Sequence, residues 1–491
     1  MKIKYFIAAF FMVLLISSCE DDFLNLNSPS SLSVPVYFNT QADFVSAVNG
    51  IYYEMRGWFN TPNNLIIGDM HSDNARYYYD PLQRFDIYNE NVADFVPDNQ
   101  MFSNNWGPIY KWIARANQVL DLIDKIDFDQ TTKDNLKGQA LFLRAYSYWW
   151  LTRIYGDVCL HLKPVTTKDQ ASLPLTSQTD VIAQIIDDAS MASTLLKNKA
   201  TQEKGRVTSG TARMLLADVY MWQKEWSSAE AQLMTLTGEY SLMPVYADVT
   251  NPTKKNNAES IFEIQFSSQS STYSSSFLYR MFPKPFGADS LKKFTGITNP
   301  VFQPGESILC PTPDLIAAYE PGDKRFTASI RFVHDDYGIR APMCIKYLHS
   351  HSLLNQTDEN MPVYRYAEVL LFLAEAINEQ GGRLSAALGY LNQVRSRAGL
   401  ANSTASTQSV LREAIVRERQ VELAFEGKRW FDLVRTGKAA EVISAYGARV
   451  IANPEKYYFK YGVGPVPSAF TNIVTVFNIP ELERLYNPLI N

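Results

Sequence analysis

The sequence predicts a mainly α-helical protein, one large domain of paired helices broken by long irregular insertions and a few short strands. Three observations predict it. Apolar residues recur at three- and four-residue intervals over much of the chain. One helix-pair pattern occurs twice, its matching positions 157 residues apart. Between the periodic stretches lie long segments rich in Ser, Asn, Pro and Tyr with no regular pattern. A chain of 491 residues is long enough for one large core or for about three ordinary domains.

The N-terminus predicts the compartment. Met1-Lys2-Ile3-Lys4 is a short basic start, and Tyr5 to Ile16 is an apolar run of twelve residues. A bilayer span needs roughly 20. With the small residues Ser17 and Ser18 after it, the run reads as a secretory signal peptide over residues 1–18. Ile16-Ser17-Ser18-Cys19 resembles a bacterial lipobox, which predicts acylation of Cys19. Each buried acyl methylene contributes roughly 0.8 kcal/mol, so several chains make a lasting anchor. Glu20-Asp21-Asp22 is similar to the export signals of Bacteroidetes surface lipoproteins. Residues 19–38, rich in Asn, Ser and Pro, are expected to be a lipidated tether, leaving 39–491 for the folded domain.

Helical patterns follow in order. Thr40 to Trp58 begins at a capping Thr and places Phe44, Val48, Ile51 and Tyr52 on one face. Trp106 to Ile126 and Thr131 to Tyr155 are two more, the second carrying Leu136, Ala140, Leu143, Tyr146 and Trp150 at helical spacing. Ser177 to Leu196 is another, capped at Ser177 or Thr179. In the first repeat unit, Leu216-Ala217 and Tyr220 precede a break at Gln223-Lys224-Glu225, then Trp226, Ala229 and Leu233 follow. In the second, Leu373-Ala374 and Ile377 precede Gly381-Gly382, then Ala386 and Tyr390. A small residue on each helix lets the two pack closely, which is the logic of a tetratricopeptide helix pair. Two units so far apart are too few for a solenoid, so they are expected as scattered pairs in one larger fold. Strand candidates are Ile261 to Phe266 and a hairpin of Phe326 to Val333 with Met343 to Leu348.

Composition narrows the function. The net charge is −5 and the pI about 5.7, so no basic field exists for nucleic acid. No metalloprotease, serine-hydrolase, phosphate-loop or dinucleotide motif occurs. Of five histidines only His349 and His351 are close, and a Ser-rich loop holds them. No catalytic residue, metal or cofactor is predicted. Beyond Cys19, the three cysteines Cys159, Cys310 and Cys344 cannot all pair and are expected as buried thiols. The densest signal, Glu413 to Arg435, alternates charge with apolar anchors. Ile415, Leu423 and Phe425 suggest a buried face, and Arg417, Glu418, Arg419, Glu422, Glu426, Arg429, Asp432 and Arg435 suggest an ion-pair lattice around Trp430 and Phe431. That pattern favours a structural role over a ligand site.

These residues also carry a family resemblance. R-E-R-Q-V-E-L-A-F-E-G-K-R-W-F-D-L-V-R-T-G, from Arg417 to Gly437, resembles the signature of SusD/RagB outer-membrane lipoproteins. Pro362 to Ala376, Leu391 to Leu400, Leu141 to Asp157 and Lys204 to Ser209 are similar to further landmarks of that family. Phe477-Asn-Ile-Pro-Glu-Leu482 departs from its usual tail. The resemblance implies a SusD-like single domain of tetratricopeptide-like helix pairs. It implies a non-catalytic protein at the outer membrane that binds a nutrient and passes it to a SusC-like TonB-dependent transporter. An oligo- or polysaccharide is the expected ligand, a peptide the alternative, and a surface glycoside hydrolase the rival from another class.

Ligand contacts are expected in the insertions. One group is Trp58, Asp73, Arg76, Tyr77, Tyr78, Tyr79 and Tyr88, and the other is Tyr273, Phe277, Tyr279 and Phe282. Rings stack on the apolar faces of sugars, while Asp and Arg bind hydroxyls. Three adjacent tyrosines cannot all face one core, so at least one of Tyr77, Tyr78 and Tyr79 is expected to be exposed.

Overall fold

Thr40 opens the first helix as expected, where its backbone N–H donates to the Asp43 carboxylate at 2.8 Å. The structure, a computed structural model, describes residues 38–78, 100–283, 287–299, 307–334, 338, 340–465 and 469–490. The predicted signal peptide, Cys19, nearly all of the tether, Tyr79 and Tyr88 lie outside the described residues. Helix α1 spans Gln41–Asn60, α2 Gln100–Leu122, α3 Gln130–Tyr155 and α4 Gln178–Leu195. The first predicted pair becomes α5, Ser209–Gln223, and α6, Trp226–Met234. The second becomes α7, Tyr366–Gln380, and α8, Leu384–Arg397. Helices α9, Gln408–Glu422, α10, Arg429–Arg435, α11, Ala439–Ala452, and α12, Glu481–Tyr486, complete the set used below.

Capping explains several boundaries. The Asp129 carboxylate accepts the Thr132 N–H at 2.8 Å before α3, and the Ser177 hydroxyl accepts the Asp180 N–H at 3.2 Å before α4. Lys224, at φ 62°, makes the left-handed turn between α5 and α6. Gly381, at φ 76°, ends α7 with a positive φ of its own, which glycine bears without steric cost.

Neighbouring helices pack in sequence, α1 on α2, α2 on α3, α3 on α4, α4 on α5, α5 on α6, and α7 on both α8 and α9. The two pairs that the sequence separates by 157 residues are neighbours in space, because α6 packs directly on α7. Arg383 and Gln380 both hold Glu230 across that joint, at 2.6 and 2.7 Å. The pairs are therefore consecutive in one stack, not scattered, and the intervening 130 or so residues loop out of it. Predicted small-residue contacts hold at Ala217, Ala229 and Ala374, all fully buried. In α8 the phase differs by one residue, since Ala386 is exposed and Ala387 is buried. Helix α3 lies between α2 and α4, so Phe142, Tyr148 and Trp149 are buried as well as the predicted face.

Short antiparallel ribbons tie the insertions down. β1, Ala75–Arg76, pairs with β3, Cys310–Pro311. β2, Ser260–Ile264, the predicted strand, pairs with β6, Met361–Arg365, which the helical pattern had concealed. β4, Ile330–His334, pairs with β5, Arg340–Cys344. This hairpin is shifted from its predicted limits because Asp323 caps a short helix at Lys324–Ser329. Cys159, Cys310 and Cys344 are buried free thiols.

The centre of the molecule is ionic. Arg365, at the end of β6, reaches Glu259 at 2.7 Å and Glu426 at 2.8 Å, and its Nη2 donates to the Glu422 carbonyl at 2.6 Å. Glu422 also receives Arg397 and, at 2.9 Å, Arg325. Arg325 in turn holds Asp323 at 2.8 Å and Glu418 at 2.6 Å. A second lattice joins Arg419 to Asp432 and Glu368, at 2.9 and 3.2 Å, and Arg435 to Glu375 and Asp432, each at 2.8 Å. All these side chains are nearly or fully buried. Arg417 stands apart from the predicted lattice, exposed, and donates to the Ala318 carbonyl at 3.1 Å.

The loop after α9 makes one further contact that leaves no room for a side chain. A Cβ on Gly68 would lie 2.1 Å from the Gly427 carbonyl oxygen, and Gly427 itself is at φ 75°. Beside it, Asp69 accepts the Gly427 N–H at 2.6 Å, while burial pushes the Asp69 carboxyl up to about 6.

Burial alone would raise the Glu422 carboxyl, but Arg397, Arg365 and Arg325 outweigh it and hold it well below the usual range. Glu422→Gln leaves those arginines short of a charge, so it is expected to cost roughly 3–5 kcal/mol in thermal or denaturant unfolding near pH 7. A depressed native pKa stabilises the fold fully above the unfolded value of about 4.3. The difference between parent and variant should therefore shrink as pH falls below 4.

Candidate binding site

Most of the aromatic residues predicted to meet ligand are core. Trp58 is 4% exposed, donates its indole N–H to Asn105 at 2.7 Å, and stacks edge-on with Trp112 and Trp150. Phe277 and Phe282 are fully buried, and the Phe277 ring meets Tyr347 with centroids 5.1 Å apart. Tyr279 is buried, its hydroxyl 2.5 Å from His351 Nε2. Asp73 holds Arg429 at 2.8 Å, and Arg76 lies 4.2 Å over the Phe459 ring. A ring with no accessible face offers a sugar nothing to stack on, so these residues shape the fold.

Of the three adjacent tyrosines, two lie within the described residues, and Tyr79 lies outside them. Tyr77 and Tyr78 are 2% and 6% exposed. They do face opposite sides, as extended backbone requires. Tyr77 joins the main core, while Tyr78 enters a second small cluster with Cys310 and Ala341, closed by Tyr458 at 5.6 Å between ring centroids. The β1–β3 ribbon is covered on both sides, a tertiary fact with no trace in the local sequence.

Among the described residues, Tyr273 is the predicted one that the structure leaves at the surface, 49% exposed. It closes a hydroxyl-rich turn. Its N–H donates to the Ser270 carbonyl at 3.0 Å, and its carbonyl accepts the Ser267 N–H at 2.8 Å. Asp358 holds the turn from one side by accepting the Ser268 N–H at 2.7 Å. Asn60, the last residue of α1, holds it from the other by accepting the Ser276 N–H at 2.7 Å. The ring is thus presented from a fixed loop.

Arg56 of α1 lies against it. Its guanidinium carbon is 4.5 Å from the Tyr273 ring centroid and 5.0 Å from that of Tyr53, which is 50% exposed. Arg56 is half-buried, and Arg56 Nη2 donates to the Thr272 carbonyl at 3.4 Å. Among the described residues no carboxylate lies within ion-pair distance of it. Glu54 instead faces Lys111 and Arg115, at 2.9 and 2.8 Å. Burial lowers the Arg56 pKa, yet a guanidinium remains charged at neutral pH. Gly57 beside it has open space where a side chain would be. The result is a surface of two half-exposed rings flanking a cation, with Gln269, Ser271 and Thr272 exposed in the turn that bears Tyr273.

Other depressions are less suited to a ligand. A groove of about 340 Å³ contains Trp226, but its Glu375–Arg435 and Glu379–Arg412 pairs satisfy one another. A crevice of about 230 Å³ between α2 and α12 includes Trp106, Tyr110 and His161. Its indole is 3% exposed, and the Tyr110 hydroxyl is committed to the Cys159 carbonyl at 2.7 Å. Among the described residues no group of three acidic, His or Cys side chains is placed to hold a metal ion.

Tyr53 and Arg56 were missed in the sequence, although a signal existed. Phe44, Val48, Ile51 and Met55 mark the buried face of α1, so Tyr53 and Arg56, three apart, stand on its outer face. What no local pattern could supply was Tyr273, brought to them from 217 residues downstream of Arg56.

Comparison with known proteins agrees with this architecture. A sequence model of the SusD family matches residues 334–484, and one described as starch-binding associating with outer membrane matches residues 22–221. SusD-like protein P25 of Formosa agariphila is 25% identical, the match covering 90% of this chain and 92% of that one. The crystal structure of a SusD homolog from Bacteroides thetaiotaomicron superposes with a TM-score of 0.77 at 20% identity, covering 93% of this chain and 97% of the other. A laminarin-binding SusD-like protein superposes with a TM-score of 0.71 at 24% identity, covering 90% and 100%. At these identities the two structures show the shared fold.

The division between platform and core is testable by stability. Tyr273→Ala removes a half-exposed ring and is expected to change unfolding free energy by no more than about 0.5 kcal/mol. Phe277→Ala, four residues on, empties a buried site and should cost about 3–5 kcal/mol. Equal losses in a denaturant titration would show that Tyr273 is part of the core.

Proposed function

Because this chain belongs to the SusD/RagB family, we propose that it binds an oligo- or polysaccharide at the cell surface and passes it to a SusC-like TonB-dependent transporter. The observation that carries the reading is the Tyr53–Arg56–Tyr273 surface, with two half-exposed rings on rigid elements beside exposed hydroxyl and amide side chains. Aromatic faces cover the apolar C–H face of a sugar ring, and the polar rim bonds its hydroxyls. The family description of starch binding and outer-membrane association supports the same assignment. A glycoside hydrolase needs two carboxylates facing each other across a cleft. This surface offers a cation between rings instead, which favours holding a glycan without cleaving it.

The anchor belongs to the same proposal. Acylation of Cys19 would fix the chain to the outer membrane, with residues 19–38 as its tether and the helical domain held outward. Metabolic labelling with a fatty-acid analogue should mark the parent and not Cys19→Ala. Label retained by the variant would remove this part of the reading.

The binding role itself is tested with the full chain, purified in mild detergent, on an array of neutral and acidic glycans with peptides as controls. Glycan binding is expected, and Tyr53→Ala and Tyr273→Ala should each weaken it about tenfold, the effect of roughly 1–1.5 kcal/mol of lost stacking. Capture of peptides with no glycan bound would refute it.

A further inference from the structure

We propose that the Tyr53–Arg56–Tyr273 surface selects an acidic glycan, with Arg56 pairing to an oxyanion substituent, a uronate carboxylate or a sulfate ester. The inference rests on the glycan-binding reading above and adds the chemical class of the sugar.

The argument begins with an uncompensated charge. Many other half-buried and buried arginines in this chain meet carboxylates, half-buried Arg213 being an exception among the described residues. Arg115 has Glu54, Arg395 has Glu320, and Arg397 has Glu259. Arg56 has no such partner among the described residues, although it is half-buried and its pKa is lowered by burial. Its one bond to an acceptor, the Thr272 carbonyl at 3.4 Å, is long and uses one of five N–H donors.

Local electrostatics leave that charge available. Arg56 lies in the last turns of α1, whose C-terminal dipole end carries about half a negative charge. The nearest acidic residue in sequence, Glu54, is already held by Lys111 and Arg115. Among the described residues the full charge of Arg56 therefore outweighs the partial negative charge of the helix end, on a chain whose net charge is −5.

Geometry gives the charge a direction. Tyr53 and Tyr273 pack on the guanidinium at 5.0 and 4.5 Å, so both rings brace it while half their own area remains open. A sugar ring lying on one tyrosine would bring a ring substituent alongside Arg56. An oxyanion there makes charge-assisted bonds about twice as strong as those of a neutral hydroxyl. The rival account is a purely structural arginine that clamps the 267–273 turn to α1.

The test uses the full chain in detergent and paired polysaccharides. Polygalacturonate and alginate are each compared with their esterified forms, and chondroitin sulfate and a sulfated fucan with their desulfated forms. Neutral α- and β-glucans complete the set. Binding to at least one acidic member, weakened about tenfold or more by Arg56→Gln and by raising salt from 50 to 500 mM, is the expected result. Arg56→Lys, which keeps the charge but not the planar fork, should recover part of it. A carboxylate preference is told from a sulfate preference by which neutralised partner loses binding. Binding to neutral glucans alone, or acidic binding indifferent to Arg56→Gln, would overturn the acidic assignment and leave glycan binding intact. A lower melting temperature of Arg56→Gln with unchanged affinity would establish the structural clamp and overturn it likewise. Failure to bind any glycan would remove the parent reading and this one together.

Discussion

The fold depends on neutralising charge where water is absent. Glu422 sits among Arg325, Arg365 and Arg397, with Glu259, Glu418 and Glu426 sharing those arginines. An ion buried alone costs several kcal/mol, and attraction offsets that only when every partner is in place. The partners come from α8, α9, the residue before β2, β6, the short helix at Lys324–Ser329 and the loop after α9. None of these elements can shift without stranding a charge. Such a lattice adds little net stability over an apolar core, but it penalises wrong registers heavily, which suits a fold whose insertions have few hydrogen-bonded ladders of their own.

The lattice also explains how a helical stack carries so much irregular chain. Helices α5 to α8 provide a regular scaffold, yet the chain leaves it after α6 and returns at α7. On that excursion its described residues form short ribbons and short helices, the longest helix being Ala288–Thr295. Ionic contacts hold the excursion where sheet does not. Lys346 is fixed by Glu426 and by the Ala424 carbonyl, and Arg325 by α9. The turn bearing Tyr273 is then seated by Asp358 and Asn60, so its position relative to α1 follows from the same assembly.

Aromatic residues are numerous here, and exposure decides which can bind. Trp58, Trp112 and Trp150 form an edge-to-face cluster inside the helical stack. Tyr53 is five residues from Trp58 and about 140° out of phase on the helix, so its ring remains accessible. The difference between core and platform is thus a matter of phase on one helix and of which loop arrives opposite it.

The sequence by itself determined the helices, because a helix needs an apolar stripe of period 3.6 wherever it packs. It also determined that residues 413–435 are scaffold, since arginines and acids interleaved with Trp430 and Phe431 have no stable arrangement except mutual pairing. Only the tertiary structure decided the exposure of each ring. Trp58, Tyr77, Tyr78, Phe277, Tyr279 and Phe282 read in the local sequence as candidate ligand contacts, and long-range packing buried them. Burial is set by what covers a residue from far along the chain, as Tyr458 covers Tyr78 and α10 covers Trp150 through Phe431. For the same reason the Tyr53–Arg56–Tyr273 surface was legible only in part. Two of its residues share a helix face, but the third meets them only once the insertion is folded onto α1.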